Sequence, residues 1–314
     1  MFFGESPAAS PWWLIIDQFG CRSWRGGTGS IHPTTPHMRC GAIFTSMFAF
    51  GDAQASASPN FLPEEASQGW IHSALARVRD RLGATASESK LITSPSILEA
   101  PRNLDSLFDL ICELQAQVGQ EDLEFTLLAH DQQANVDPSF QPLGDPTGQL
   151  MHSFFSEKED TYLTLFSDAA FRVLPVLYAS VARELGRFAL HRSGGALFTT
   201  DDEFEHDPES ESELAAISLG LGIWIANGAV MFENGCCGGG CGVDLRSLRA
   251  GLSVPEVGHA LAVDARARGV GKWSISRHLE STQKAAFKKN WSAIKRAPVP
   301  AALAPASSRG ALGS

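Results

Sequence analysis

Basic charge is in short supply in this chain: 25 Lys and Arg stand against 35 Asp and Glu across 314 residues, a formal net charge of −10. An acidic surface repels phosphate backbones, which argues against nucleic acid as a partner. Cysteine is scarce too, at six residues, too few for a disulfide framework in a chain of this length. Cys21, Cys40 and Cys112 are scattered, while Cys236, Cys237 and Cys241 cluster. The N-terminus lacks a Lys/Arg-led apolar segment of the secretory kind, and Trp12 to Ile16 is too short to serve, so a cytoplasmic setting with reduced thiols is expected. Missing as well are a Walker loop, a dinucleotide-binding glycine turn after a strand, a Gly-x-Ser-x-Gly elbow, and any repeat of about 20 to 50 residues.

What the chain does have is apolar content, 44% of residues, enough for one large core. Residues 1–60 are rich in Gly, Ser, Pro and Thr, carry no persistent period, and read as an irregular extension. Periodic structure begins after Pro63. Trp70, Ile71, Ala74, Leu75, Val78 and Leu82 share a helical face that Gly83 ends. Leu91 to Thr93 is a short strand candidate. Asn103 caps a second helix bearing Leu104, Leu107, Phe108, Ile111, Leu114 and Val118. Glu124 to Leu128 and Tyr162 to Phe166 read as strands, separated by a polar loop over 131–149. The second strand leads into a helix from about Phe171 to His191, closed by Ser193-Gly194-Gly195.

An acidic loop over 201–213 then precedes an uncharged apolar helix from Leu214 to Phe232. That helix reaches membrane-spanning length, but its glycines, Asn227 and the lack of basic flanks favour a buried core helix. Two further helices are predicted, Val254 to Arg268 and Arg277 to Ile294, with a disordered tail over 297–314. The fold class is therefore α+β: one domain over 61–296, with short strands and helices followed by a mainly helical C-terminal half.

The segment with most chemical content is Arg183-Glu184-Leu185-Gly186-Arg187. It has the outline of a zinc-peptidase helix, in which two histidines one turn apart flank a glutamate base. Here both ligand positions are arginine, whose guanidinium stays protonated and cannot hold a metal. Helical projection sets Arg183 and Arg187 opposite the Leu174, Leu177, Val181, Leu185 and Phe188 stripe. The plainer reading makes them solvated, with Glu184 pairing locally. The functional reading makes them a cleft lining that binds a carboxylate or phosphate.

Over residues 61–295 the chain resembles a poorly characterised bacterial family of zincin-like metallopeptidases. The strand-to-helix step into Arg183–Arg187 is similar to that family's His-Glu-Leu-Gly/Ala-His helix. Leu219-Gly220-Leu221-Gly222-Ile223 with Ala226-Asn227 resembles its Leu-Gly-Leu-Gly-Ile and Ala-Asn run, the most specific match. Gly251-Leu-Ser253 with Gly258-His259-Ala260-Leu261-Ala262, and Arg277-His278-Leu279, support it. The family's acidic residue in Leu-Thr-Asp-Leu is Ala216 here. Three losses at metal-related positions, with the packing glycines kept, imply a zincin-like scaffold without its metal centre. On this reading Glu184 is vestigial, no metal or other cofactor is expected, and the protein acts by binding an unknown protein partner.

Two alternatives stand beside it. An active metal-dependent hydrolase would use Glu184 as general base, or relocated zinc ligands drawn from Glu184, His191, His206 and Glu213. A structural module would instead use its apolar helix against a partner chain or a membrane. Cys236-Cys237-Gly-Gly-Gly-Cys241 lacks a CxxC half and reads as a turn with reactive thiols. His259 and His278 read as helix-surface or satisfied core histidines, and the Asn290-Trp291-Ser292 sequon carries no role in a cytoplasmic protein.

Overall fold

A computed structural model describes residues 60–93, 99–131, 136–145, 150–194, 208–234 and 251–295, with a two-stranded ladder of β1 (Ile15–Ile16) and β2 (Arg22–Ser23). The rest of residues 1–59, the 297–314 tail, the 201–207 part of the acidic loop and the clustered cysteines lie outside the described residues.

Helix α1 (Glu65–Leu82) buries the six residues its spacing predicts, and Gly83 ends it in a left-handed conformation, φ 54°. A short α2 (Ala84–Glu88) follows. Helix α3 (Leu104–Gln117) starts with a reciprocal cap: the Asn103 side chain accepts from the Ser106 amide at 2.9 Å, and Ser106 Oγ accepts from the Asn103 amide at 3.2 Å. Cys112 on this helix is disulfide-bonded, so it is not the free thiol expected.

The sheet has the order β3-β6-β5-β4 and is mixed. β3 (Phe125–Ala129) runs parallel to β6 (Thr161–Phe166), in register Phe125 to Tyr162. β5 (Met151–Ser156) pairs antiparallel with β6 across a tight turn that contains Asp160 at φ 49°. β4 (Gln141–Pro142), within the predicted loop, pairs antiparallel with β5 at the edge. A 3₁₀ turn at Asp168–Arg172 then delivers the chain to α4 (Leu174–Arg192), so the predicted strand-to-helix step holds with one turn interposed.

Three departures from the sequence reading meet around the apolar run. First, helical structure begins before Leu214, at α5 (Pro208–Ala216), so Glu209, Glu211 and Glu213 are helical rather than loop residues. Second, the apolar run is not one helix. A π-type segment (Ile217–Leu221) breaks at Gly220, φ 92°, before α6 (Gly222–Asn234). A side chain at Gly220 would collide with the Lys90 carbonyl, so the break and the close approach both require glycine. Third, Leu91 to Thr93 is not a strand; the Ile92 amide donates to the Gly220 carbonyl at 2.9 Å instead. The Ser218 carbonyl accepts from Arg268 and, at 3.1 Å, from Ser89 Oγ.

α7 (Val254–Ala267) begins with the Ser253–Glu256 capping box. An unpredicted short helix, α8 (Lys272–Ser276), follows, and the predicted last helix starts later than expected, as α9 (Ser281–Ile294), with Arg277-His278-Leu279 in the turn between them. Asn227 of α6 fixes that turn, donating to the His278 carbonyl at 3.0 Å and accepting from the Glu280 amide at 3.1 Å. The observed class is α+β, helical in majority, with one small mixed sheet. Among the described residues no helix is long and apolar enough to cross a membrane.

Candidate functional site

α4 lies at the centre of the packing, between the sheet and α5–α6. Gly186 lets it approach α5 so closely that a Cβ there would strike the Ser212 carbonyl, and Gly228 of α6 meets it at Ala179. Consequently almost every residue from Val176 to Leu190 is buried, on all sides of the helix. This overturns the solvated reading of the arginines. Arg183 and Arg187 are each 1% exposed and Glu184 is 3% exposed. Helical projection finds the face opposite an apolar stripe, but it cannot tell that a second layer covers that face.

The three charged residues meet two more from α5. Arg183 reaches Glu213 Oε1 from Nε at 3.1 Å and from a terminal nitrogen at 2.5 Å, with its Nε 3.7 Å from Glu209 Oε2. Arg187 pairs with Glu209, lies 3.2 Å from Glu184 Oε1, and donates to the Leu143 carbonyl at 3.0 Å. Glu213 Oε2 accepts the Leu252 amide at 2.8 Å. Glu184 Oε2 accepts from Ser153 Oγ of β5 at 2.6 Å, and Ser153 is 2.9 Å from Thr164 Oγ1 of β6. These are short, charge-assisted contacts among groups shut away from water.

Three carboxylates against two guanidinium groups leave one negative charge in excess, and that decides the protonation chemistry. Burial pushes the Glu184 carboxyl above its ordinary range; Glu209 adds to the rise, while Arg187, Ser153 and Arg183 oppose it. Burial likewise raises Glu213, against Arg183 and the Leu252 amide. Coupled carboxyls of this kind share protons as a set rather than titrating singly.

Backbone closes the network. Gly144, at φ 88°, lies over Arg187 and Glu209, where a Cβ would sit 3.6 Å from the guanidinium carbon. On another side, Gly251 abuts the Glu209 backbone. The cavity beside Glu184, lined by Met151, Thr164, Val181 and Phe188 among others, has no room for a water molecule. Larger hollows lie elsewhere, such as one of about 580 Å³ beside Arg102, Asn103 and Arg172.

The relocated zinc set does not assemble in the described structure. His191, in the last turn of α4, bonds through Nδ1 to the Tyr162 hydroxyl at 2.9 Å and lies tilted against Phe155, while Glu184 faces Ser153 and Arg187. Glu213 is taken up by Arg183, and His206 lies outside the described residues. Among the described residues no three His, Cys, Asp or Glu side chains converge as a metal-holding group. The donor set around α4 does not fit zinc, because guanidinium groups stand at both positions of the motif where imidazoles would ligate. Asn290, in the sequon, is fully buried on α9.

Sequence reasoning missed Ser153, Thr164 and the role of Glu209. The first two sit on or against β5, whose residues are buried on both faces and show no clean alternation. Glu209 stood in view within an acidic run, but only the helical start at Pro208 turns it toward α4. Compared with family profiles, with curated proteins and with solved structures, the chain matches nothing.

Proposed function

We propose that this protein is a non-catalytic relative of zincin-like metallopeptidases, metal-free at its Arg183–Arg187 motif, that acts by binding rather than by hydrolysis. The observation that carries the reading is the buried Arg183–Glu213 and Arg187–Glu209 pairing on either side of Glu184. In a peptidase helix of this outline, the cation held by the two histidines would be a metal facing an open cleft. Here the cations belong to the protein, with backbone at Gly144 against Arg187 and backbone at Gly251 against Glu209. Glu184 cannot serve as a general base for an exogenous water in that setting: its oxygens face Ser153 and Arg187, and the adjoining cavity admits no water. Its role is structural, as one carboxylate of the network. Binding is then left to the outer surface, with a protein as the partner class.

The test is differential. Chains carrying the isosteric Glu184→Gln or Glu209→Gln substitution, shown by thermal melts to fold, are compared with the unsubstituted protein for retained zinc and for peptide hydrolysis. The reading expects no difference in either measure. Loss of one zinc equivalent, or of hydrolytic activity, in Glu184→Gln would sink it in favour of an active hydrolase.

A further inference from the structure

Away from the network, a histidine pair joins α1 to α7. His72 of α1 is half-buried and His259 of α7 is fully buried. Their Nε2 atoms are 3.1 Å apart and their ring centroids 5.1 Å apart. The other nitrogen of His259, Nδ1, lies 3.1 Å from Asn290 Oδ1 on α9.

The orientation of Asn290 decides which nitrogen of His259 is protonated. Its amide nitrogen shares its two hydrogens among the carbonyls of Phe61 at 2.7 Å, Ala286 at 3.0 Å and Pro255 at 3.3 Å. That leaves Oδ1 as the acceptor, so His259 Nδ1 carries the proton and Nε2 presents a lone pair toward His72. Burial depresses both histidines, His259 to about 4, which leaves both rings neutral at physiological pH. Without a metal, His72 donates from Nε2 to His259 and the pair is satisfied as a hydrogen bond.

The same atoms have the arrangement of a ligand pair. Two imidazole nitrogens held at about 2.0–2.1 Å by one tetrahedral zinc are about 3.3 Å apart, close to the separation found here. A ligating histidine characteristically donates its second N–H to an acceptor that fixes its tautomer and plane, as His259 does to Asn290. Both ligands stand on long helices, and His72 is only half-buried. We propose that His72 and His259 form a two-histidine site for a borderline divalent metal of the zinc, nickel or copper class. Binding moves the His72 proton from Nε2 to Nδ1, so both Nε2 lone pairs face the ion and no net proton is released. The bound ion ties α1 to α7, far in sequence from Glu184 and independent of it.

The test uses the chelator-stripped full chain titrated with zinc by calorimetry and with copper(II) by electron paramagnetic resonance. The expected result is one equivalent bound, with hyperfine structure from two nitrogens. Affinity should fall by about tenfold or more in His72→Ala, a substitution on a half-exposed helix position, and should be unchanged in Glu184→Gln. Absence of binding, or binding that survives His72→Ala unaltered, overturns the site. Binding lost in Glu184→Gln but kept in His72→Ala overturns it as well, and would in addition count against the metal-free reading of the α4 network.

Discussion

Replacing Arg187 by methionine probes the network with little change in volume. The guanidinium has three recipients: Glu209, Glu184 and the Leu143 carbonyl. Arg187→Met leaves three buried carboxylates, Glu184, Glu209 and Glu213, with only Arg183 to balance them, and leaves one carbonyl unpaired. Breaking a buried pair by removing one partner costs about 3–5 kcal/mol, and an orphaned buried acceptor adds about 1 kcal/mol or more. α4 supplies its own control. Arg192, five residues further along, pairs with Asp122 at 2.5 Å, but the two side chains are 48% and 64% exposed. An exposed pair of this kind is worth about 0–1 kcal/mol, so Arg192→Met should move stability by less than that. Urea unfolding followed by tryptophan fluorescence and circular dichroism reads both, with the m-value checked for constancy. Pairing Arg187→Met with Glu209→Gln should recover part of the loss, since the second change removes a stranded charge. Equal and small losses in Arg187→Met and Arg192→Met would refute the buried-network argument, because solvated arginines behave that way.

Other outcomes follow from particular residues. Gly220→Ala should destabilise by about 2 kcal/mol or more, through positive φ and collision with the Lys90 carbonyl, whereas Gly69→Ala on α1, with open space around it, should stabilise by about 0.5–1 kcal/mol; thermal melts separate the two. On the acid side, burial holds His152 and His259 down to about 4. Their contribution is present above the ordinary histidine value and is lost as pH falls through the folded value, up to about 3 kcal/mol for each. On the other side, Glu184 and Glu213 have raised values, so their contribution is complete below the ordinary glutamate range and is lost as pH rises through the folded values. Urea midpoints measured across pH should therefore decline toward acid, and Glu184→Gln should relieve the decline toward alkali.

The sequence made some elements legible and hid others for physical reasons. α1 and α3 announce themselves because one face is buried and the other wet, and Gly83 and Asn103 mark their ends. β6 is legible from its β-branched and aromatic content, while β5 is not, since burial on both faces erases alternation. The apolar run over 214–232 looked continuous because a glycine that packs closely and one that breaks the backbone leave the same letter; only φ at Gly220 tells them apart. The candidate site was half legible. Arg183, Glu184 and Arg187 stood out by their spacing, but their burial depends on α5 folding over them, which no local pattern encodes. Glu209 and Glu213 had the composition of a solvated loop, and it is their two counterions on α4 that draw them inside.

The central claim is that guanidinium groups hold the place a metal would take beside Glu184. The most direct measurement is zinc per chain by elemental mass spectrometry, after dialysis without chelator and again after zinc has been offered, made on the His72→Ala protein so that the proposed histidine pair does not contribute. Zinc well below one equivalent, unchanged by Glu184→Gln, is the predicted result. About one equivalent retained, and lost in Glu184→Gln, would contradict it.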